Sequence, residues 1–400
     1  MEPASSTSWR MIRLLMLSEI LWALGEGLFF YLIPVYLQEL GATPSEIGMA
    51  VGIGELILTA IYLPVGWVTD RFPHKPLMLG GWLAGLMGVL TMAGAADWRT
   101  FVPGLTLYLI SGYCLPIINA YVARMAGPIP LERAFPLLSA SYALGGVLAP
   151  AMGGWLTPQW GMRRVLLVSA GLFSLSTLAA IRLPADPPPQ RPGHRSPGEF
   201  RRGIPWPFGL ALFTLFTAGQ LGLVLLPNFL QQQGGWARTH LGLFASLQAL
   251  GAIVLGPILG RWDERRARPI GLLSAWGMGW IAFALLQIGF RHLPIVSGAM
   301  FLLGGMYAGY SLAAARILRL ASQETRATSS ALVHTARSLA MTLAAPLAGL
   351  MFTLEPAYPL RAAGLAIPLA MGAVFWTGRL IPGEEAVSPG QAWEEGRPRL

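Results

Sequence analysis

Charge is what this chain has least of. Aspartate, glutamate, lysine and arginine together supply 12% of its 400 residues, while hydrophobic residues supply 54%. That is about half the charged share of ordinary soluble proteins. A water-soluble globule of this length could not cover its surface with so few charges, which excludes the two or three soluble domains the length alone would imply. Cysteine is nearly missing as well. Cys114 is the single one and lies inside an apolar run, so neither an internal disulfide nor a cysteine-based metal or thiol centre is expected. Also lacking are a histidine-rich metal cluster, a nucleophile elbow, a phosphate-binding glycine loop and any ATP-binding motif, because the abundant glycines fall within apolar segments. No enzyme, no cofactor and no internal ATP motor is expected.

What the chain does have is a succession of apolar runs of about 20 residues, the length at which a helix crosses a bilayer core. Helices are predicted over about 14–38, 45–68, 76–96, 101–124, 134–157 and 164–183, then about 206–232, 239–260, 269–289, 294–318, 327–352 and 361–381. The fold class read from this is an all-α membrane protein with twelve transmembrane helices in two six-helix bundles. Residues 1–183 form the first bundle and 206–381 the second. Between them, 184–205 is rich in proline, glycine and arginine and reads as a solvated linker, and 382–400 as a polar tail. Arg10 and Arg13 precede an apolar stretch too long for a signal-peptide core, so the first helix is expected to stay uncleaved.

The formal charge of +9 would elsewhere point to nucleic acid. Here the basic residues cluster in short connections, which is a topology signal, and no nucleic-acid partner is expected. With loops assigned alternately to opposite faces, 21 of the 28 lysines and arginines fall on the side of the termini. The other side has Arg99, Arg163, Arg164, Arg238, Arg291 and Arg361, and Arg337 lies within a helix. The positive-inside rule then places both termini and the linker in the cytoplasm, the protein being multi-pass in the cytoplasmic membrane.

The halves also resemble each other. Leu32 to Gly41 (LIPVYLQELG) aligns with Leu225 to Gly234 (LLPNFLQQQG) at an offset of 193. Gly112 and Arg124 match Gly304 and Arg316 at 192, and the segment around Pro150 matches that around Pro346 at 196. Three matches in near-constant register indicate an internal duplication. Parallel six-helix repeats place a binding site between the halves, near mid-membrane.

Between predicted helices 2 and 3 stands Gly66-Trp-Val-Thr-Asp70-Arg71-Phe-Pro-His-Lys75. This resembles the loop signature of the major facilitator superfamily, with Pro73 where a glycine is usual and His74 where a basic residue is usual. The second-half counterpart is read as Gly256-Pro-Ile-Leu-Gly260-Arg261, the acidic position having become Gly260. In predicted helix 5, Gly146-Val-Leu-Ala149-Pro150-Ala-Met-Gly153-Gly154 is similar to a glycine–proline signature of the proton-driven drug and metabolite exporters of that superfamily, with Ala149 replacing a glycine. The resemblance implies alternating access, with Gly66, Asp70, Arg71 and Lys75 forming a gate. Asp70 would meet the N-terminal end of helix 11 near Thr325 and Arg326 when the cytoplasmic side closes. It also implies that helices 1, 4, 7 and 10 line a cavity while 2 and 11 meet across the interface. Gly146, Pro150, Gly153 and Gly154 have a second reading as simple helix packing.

A charge at mid-bilayer costs about 2.5–3.5 kcal/mol on insertion scales, so each one needs a reason. Glu19 and Glu26 lie seven apart on one face of helix 1, Glu55 is central in helix 2, and Arg337 is central in helix 11. Low-dielectric surroundings favour a neutral carboxyl and a nearby cation favours a charged one. Glu26 is accordingly expected to be the proton-coupling or cation-binding group, and Glu55–Arg337 a structural or switching pair. His334 is a candidate relay partner. The alternatives are a protonated Glu26 bonded to a neighbouring helix, and a Glu19 hydrated near the cytoplasmic end. Tyr108 and Asn119, eleven apart and hence on one face, are expected in the cavity with Gln220, Asn228, Gln231, Tyr307 and Tyr310. Such a lining suits a cationic or neutral amphipathic solute.

The function expected is secondary active transport, as proton-coupled antiport (export) of small amphipathic, cationic or neutral organic molecules. Proton-coupled uptake of a neutral nutrient such as a sugar, or a transport-inactive receptor, are the alternatives. The expected partners are a small-molecule substrate, protons and the lipid bilayer, with the chain acting as a monomer.

Overall fold

A chain with long apolar runs must satisfy its backbone within each segment once it leaves water, and the helix is the local solution. The computed structural model describes residues 3–69, 71–187, 206–264, 269–320 and 326–378, and among these no strand occurs. Twelve spans result: Ser8–Glu39, Pro44–Tyr62, His74–Gly94, Trp98–Met125, Arg133–Trp160 and Met162–Ile181, then Trp206–Gln232, Arg238–Asp263, Ile270–Gly289, Leu293–Ile317, Val333–Leu354 and Tyr358–Gly378. They are called spans 1–12 below. Their outer faces are greasy: Leu365 and Leu369 of span 12 are 73% and 76% exposed. Leu144, Leu148, Leu175 and Leu178 likewise point outwards. Only lipid makes such a surface stable.

Spans 1–6 pack into one bundle and spans 7–12 into another with matching partners. Span 1 lies against 5 and 6, as span 7 lies against 11 and 12; span 3 lies against 4 and 6, as span 9 lies against 10 and 12. Three spans break, and the breaks of spans 1 and 7 correspond. Short 3-10 turns interrupt span 1 at Phe30–Leu32 and span 4 at Ser111–Tyr113, and span 7 breaks ahead of Leu226–Gln232. The helical segments that resume, Ile33–Glu39 and Leu226–Gln232, are offset by 193 at both ends, and each has proline in its first turn. There the missing N–H costs nothing.

The bundles meet chiefly at the end away from the termini. Span 2 lies along span 11, and span 5 along span 8. A Cβ on Gly349 would come within 2.6 Å of the Pro44 carbonyl, and one on Gly52 within 2.8 Å of the Pro346 ring. The two duplicated segments clasp one another there. The Asn228 amide donates to the Pro34 carbonyl (3.0 Å) and to the Gln38 side-chain oxygen (2.8 Å), and Gln232 donates to the same oxygen (2.7 Å). Arg238 pairs with Glu39 beside them.

The expected linker does not begin as a free coil. Asp186 is buried and caps the start of span 3, accepting from the His74 N–H (2.8 Å) and the Lys75 N–H (3.0 Å). The His74 ring nitrogen lies 2.6 Å from the same carboxylate. Tyr121 donates to the Pro184 carbonyl (2.7 Å) and Lys75 to that of Ile181 (2.8 Å). These contacts hold 184–186 to the bundle, and residues 188–205 lie outside the described residues. Burial works against the charge on Asp186, but its N–H donors and the His74 ring outweigh that and hold the carboxyl below its usual range. Asp186→Asn is therefore expected to destabilise the first bundle by about 1–3 kcal/mol. The sign follows from linkage: a lowered folded-state value gives stability that is complete above the usual carboxylate range and lost as pH falls through the folded one. Thermal melts of the two proteins should separate near neutral pH and converge on acidification. Equal melts at neutral pH would dismiss this role.

One sequence-based expectation is corrected here. The acidic residue of the second-half loop is not lost to Gly260. Asp263, 193 residues after Asp70, accepts from the Leu272 N–H at the start of span 9 (3.3 Å) and faces buried Arg316 at 3.6 Å. The helix runs on to Glu264, so the equivalent position lies three residues further than the glycine spacing implied.

Candidate transport cavity

A cavity of about 310 Å³ lies between the bundles, displaced towards the termini-side half. Span 1 contributes Glu19, Trp22, Glu26 and Phe30, and span 2 contributes Glu55, Leu58 and Tyr62. Tyr108 and the residues after it come from span 4, and Tyr142 from span 5. The second bundle supplies Gln220, Tyr307 and, from span 11, His334, Arg337, Ser338 and Met341. Helix geometry explains the acidic wall. Residues seven apart return to the same face, so Glu19 and Glu26 share one side of span 1 with Trp22 near it.

The aromatic wall is fixed from behind. Trp22 stacks on buried Phe173 with centroids 4.0 Å apart, Trp82 meets Trp22 edge-on, and the Trp82 indole donates to Ser176 (2.9 Å). These side chains therefore present a preformed surface. Glu26 accepts a hydrogen bond from the Tyr142 hydroxyl at 2.5 Å, and the Tyr108 hydroxyl approaches the same carboxylate. Tyr142 and Tyr307 are deep within the protein yet 39% and 38% exposed, because they face the cavity.

Glu55 and Arg337 line the same space but do not form the expected ion pair. Glu55 accepts from Ser338 (2.6 Å), which also receives the Thr59 hydroxyl (2.9 Å). Arg337 instead sits over the Tyr310 ring, 5.3 Å from its centroid, and no carboxylate lies within 4.0 Å of it among the described residues. A cation–π contact contributes about 0.5–2 kcal/mol, against an insertion cost of about 2.5–3.5 kcal/mol for the charge. The stack alone does not cover that cost, and access to the cavity supplies the rest. His334 lies at the same wall, its ring 6.3 Å from that of Tyr62.

Glu19, Glu26, Glu55, Arg337, His334, Tyr108, Gln220 and Tyr307 thus converge, whereas four expected lining residues do not. Asn119 is exposed outside the cavity, because the 3-10 turn at Ser111–Tyr113 resets the helical phase between it and Tyr108. Asn228 is spent in the far-side clasp, and Gln231 stands on the same broken segment. Tyr310 is buried beneath Arg337 among Phe216, Trp276 and Tyr307. The sequence reading missed Tyr142, since span 5 was not expected to line the cavity, and it missed Trp22, Tyr62 and Ser338. A tyrosine in an otherwise apolar helix, next to two small residues at Gly145 and Gly146, was the available signal for the first.

The architecture of twelve spans around a polar chamber has close parallels. The family model of the Major Facilitator Superfamily matches residues 15–345. The chain belongs to the major facilitator superfamily. Among its relatives in that superfamily, the Multidrug resistance protein B homolog of Mycobacterium tuberculosis is 28% identical over 343 residues, 67% of this chain. The chain spans only 62% of the length of that relative. Multidrug resistance protein MdtH of Salmonella typhimurium is 26% identical over 69% of each chain. The class C tetracycline resistance protein of Escherichia coli is 26% identical over 68% of this chain and 73% of its own. Among solved structures, a bacterial homolog of the human lysosomal transporter Spinster, in an inward-facing and unoccupied conformation, superimposes with a TM-score of 0.70 at 16% identity, covering 95% of this chain and 98% of its own. Membership of the superfamily and the twelve spans make the chain an integral multi-pass membrane protein.

The superfamily signatures take on concrete roles. Of the glycine–proline segment in span 5, Gly153 packs inside its own bundle against Leu28, whereas Gly154 faces span 8 of the other, 2.6 Å from the Arg238 carbonyl as measured from an added Cβ. The Ala151 N–H, next to Pro150, donates across the interface to Ser246 (3.0 Å). Gly146, about two turns nearer the termini, has no such neighbour. In the loop signature, Gly66 is helical and Arg71 is exposed, while Lys75 is engaged with span 6 rather than with span 11. Arg326 opens the helix that carries span 11. Asp70 and Thr325 lie outside the described residues.

Proposed function

We propose that the protein exports small amphipathic organic molecules, cationic or neutral, in exchange for protons. On this reading the termini are cytoplasmic, the membrane is the cytoplasmic membrane and the chain works as a monomer. The cavity then faces the cytoplasm, while the clasp of Gln38, Asn228 and Gln232 keeps the outer side shut. The observation that carries the proposal is the Glu26 carboxylate, bonded by Tyr142 inside an aromatic chamber and reachable from it. A single carboxyl there can hold either a proton or the cationic end of a cargo, and that exclusivity is what antiport needs. The relatives named for multidrug and tetracycline resistance support export as the direction. Glu55 and His334 lie where they would sense the approach of spans 2 and 11.

The test uses inverted membrane vesicles loaded with the full chain and energised by a proton gradient. Tetraphenylphosphonium or an uncharged lipophilic dye should accumulate, and a protonophore should release it. Accumulation of sugars alone, or accumulation indifferent to the gradient, would falsify the proposal.

A further inference from the structure

We infer that the preferred cargo is zwitterionic: an amphipathic molecule whose cationic group meets Glu19 and Glu26 on span 1 and whose anionic group meets Arg337 on span 11. The inference rests on the export reading above and narrows its substrate class.

The argument starts from where the charges sit. Both bundles contribute a charged wall to one cavity, and the walls are of opposite sign. The first bundle brings Glu19 and Glu26, and the second brings Arg337 with His334 beside it. Had Arg337 been a structural counter-charge, Glu55 would be its natural partner, being in the same cavity. Glu55 instead bonds Ser338, and Arg337 stays exposed to the cavity, resting on Tyr310. A guanidinium so placed keeps its fork of donors open to a carboxylate from outside the chain. The side walls between the two charges are aromatic, with Trp22, Tyr108, Tyr142 and Tyr307 around a space of about 310 Å³, which suits a ring system carrying one charge at either end.

The placement also has a mechanical meaning. A purely cationic cargo would hold only to the first bundle. A molecule charged at both ends ties span 1 to span 11, hence one bundle to the other. It has differential contact with the states in which those bundles lie nearer or further apart, and such a difference is what a ligand needs to shift a conformational equilibrium.

The test measures binding of two sets of three compounds to the purified full chain in nanodiscs. One set is norfloxacin, its methyl ester and its N-acetyl derivative; the other is tryptophan, its methyl ester and N-acetyltryptophan. Each set offers one scaffold as zwitterion, cation and anion, and the two sets differ widely in charge separation. In at least one set the zwitterion should bind about tenfold or more tighter than either derivative, a step of charge-assisted pairing. Arg337→Gln should weaken the zwitterion about tenfold more than its ester, whereas Arg337→Lys should retain most of the preference. Size-exclusion profiles identify a variant that has merely misfolded, and the lysine variant then decides. If both esters bind as well as their zwitterions, or the preference survives Arg337→Gln, the inference is overturned. Binding of tetraphenylphosphonium without any zwitterion preference removes this inference and leaves the export reading standing. Failure of all seven compounds to bind removes both.

Discussion

Replacing Glu26 by glutamine is expected to abolish proton-driven transport while leaving the fold in place and weakening the hold on a cationic group. The substitution keeps the side-chain shape and an acceptor oxygen for the Tyr142 hydroxyl, which now bonds the carboxylate at 2.5 Å. What it removes is the capacity to take up and release a proton. Groups that carry a proton in a rate-determining step contribute about 10²- to 10⁴-fold. Gradient-driven accumulation in inverted vesicles should therefore fall by about a hundredfold or more, while exchange of a labelled for an unlabelled uncharged dye without a gradient persists. Glu19→Gln is expected to give a smaller loss, because among the described residues no hydrogen bond from another span holds that carboxyl. Glu55→Gln alters a carboxyl that bonds Ser338 across the interface, so its effect should lie in the rate of closing. Driven transport at wild-type rates in Glu26→Gln would remove Glu26 from the mechanism.

The second large effect is expected at Gly154. A leucine there would push its side chain against the Arg238 carbonyl and the Gly242 backbone, 2.6 and 2.8 Å from the position of a Cβ. Neither is a flexible side-chain end that could swing aside, so relief requires spans 5 and 8 to separate. Overpacking of this kind costs about 1–3 kcal/mol, and here the cost falls on one conformation, the one with the far side shut. That shifts the equilibrium by roughly ten- to a hundredfold towards the opposite state. Transport should stop although the protein still folds. A cysteine placed at Gln231, with Cys114 changed to serine, should become reactive to an impermeant maleimide from the far side. The neighbouring Gly153→Leu makes the contrast. Its side chain would strike Leu28 within the same bundle, so low folded yield is expected in place of a shifted equilibrium. Unchanged labelling in Gly154→Leu would show that this contact does not control closure.

The contrast between these adjacent glycines marks how far the amino-acid sequence could be read. The spans were legible because charge is scarce and apolar runs have the length of a bilayer, and the duplication was legible because LIPVYLQELG and LLPNFLQQQG differ so little. Glu19, Glu26, Glu55 and Arg337 stood out because a charge in an apolar run is expensive. Phase was not legible. Eleven residues between Tyr108 and Asn119 would share a face of an unbroken helix, but the 3-10 turn between them undoes that count. The partner of a charge was equally hidden. Glu55 takes Ser338 and Arg337 takes Tyr310, and no periodicity distinguishes those choices from a direct pair. Asp263 was missed because a glycine drew the alignment three residues short, and Asp186 because a proline-rich stretch conceals a helix cap.

The clasp on the far side has a further meaning. Its two strips of chain are the pair that align at an offset of 193, and they touch each other between the bundles. The contact is nonetheless lopsided: Asn228 donates, while its twin position holds Val35, which cannot return the bond. A contact between two matching segments is thereby a lock with a distinct key side. Swapping Val35 and Asn228 would turn that polarity around without altering composition.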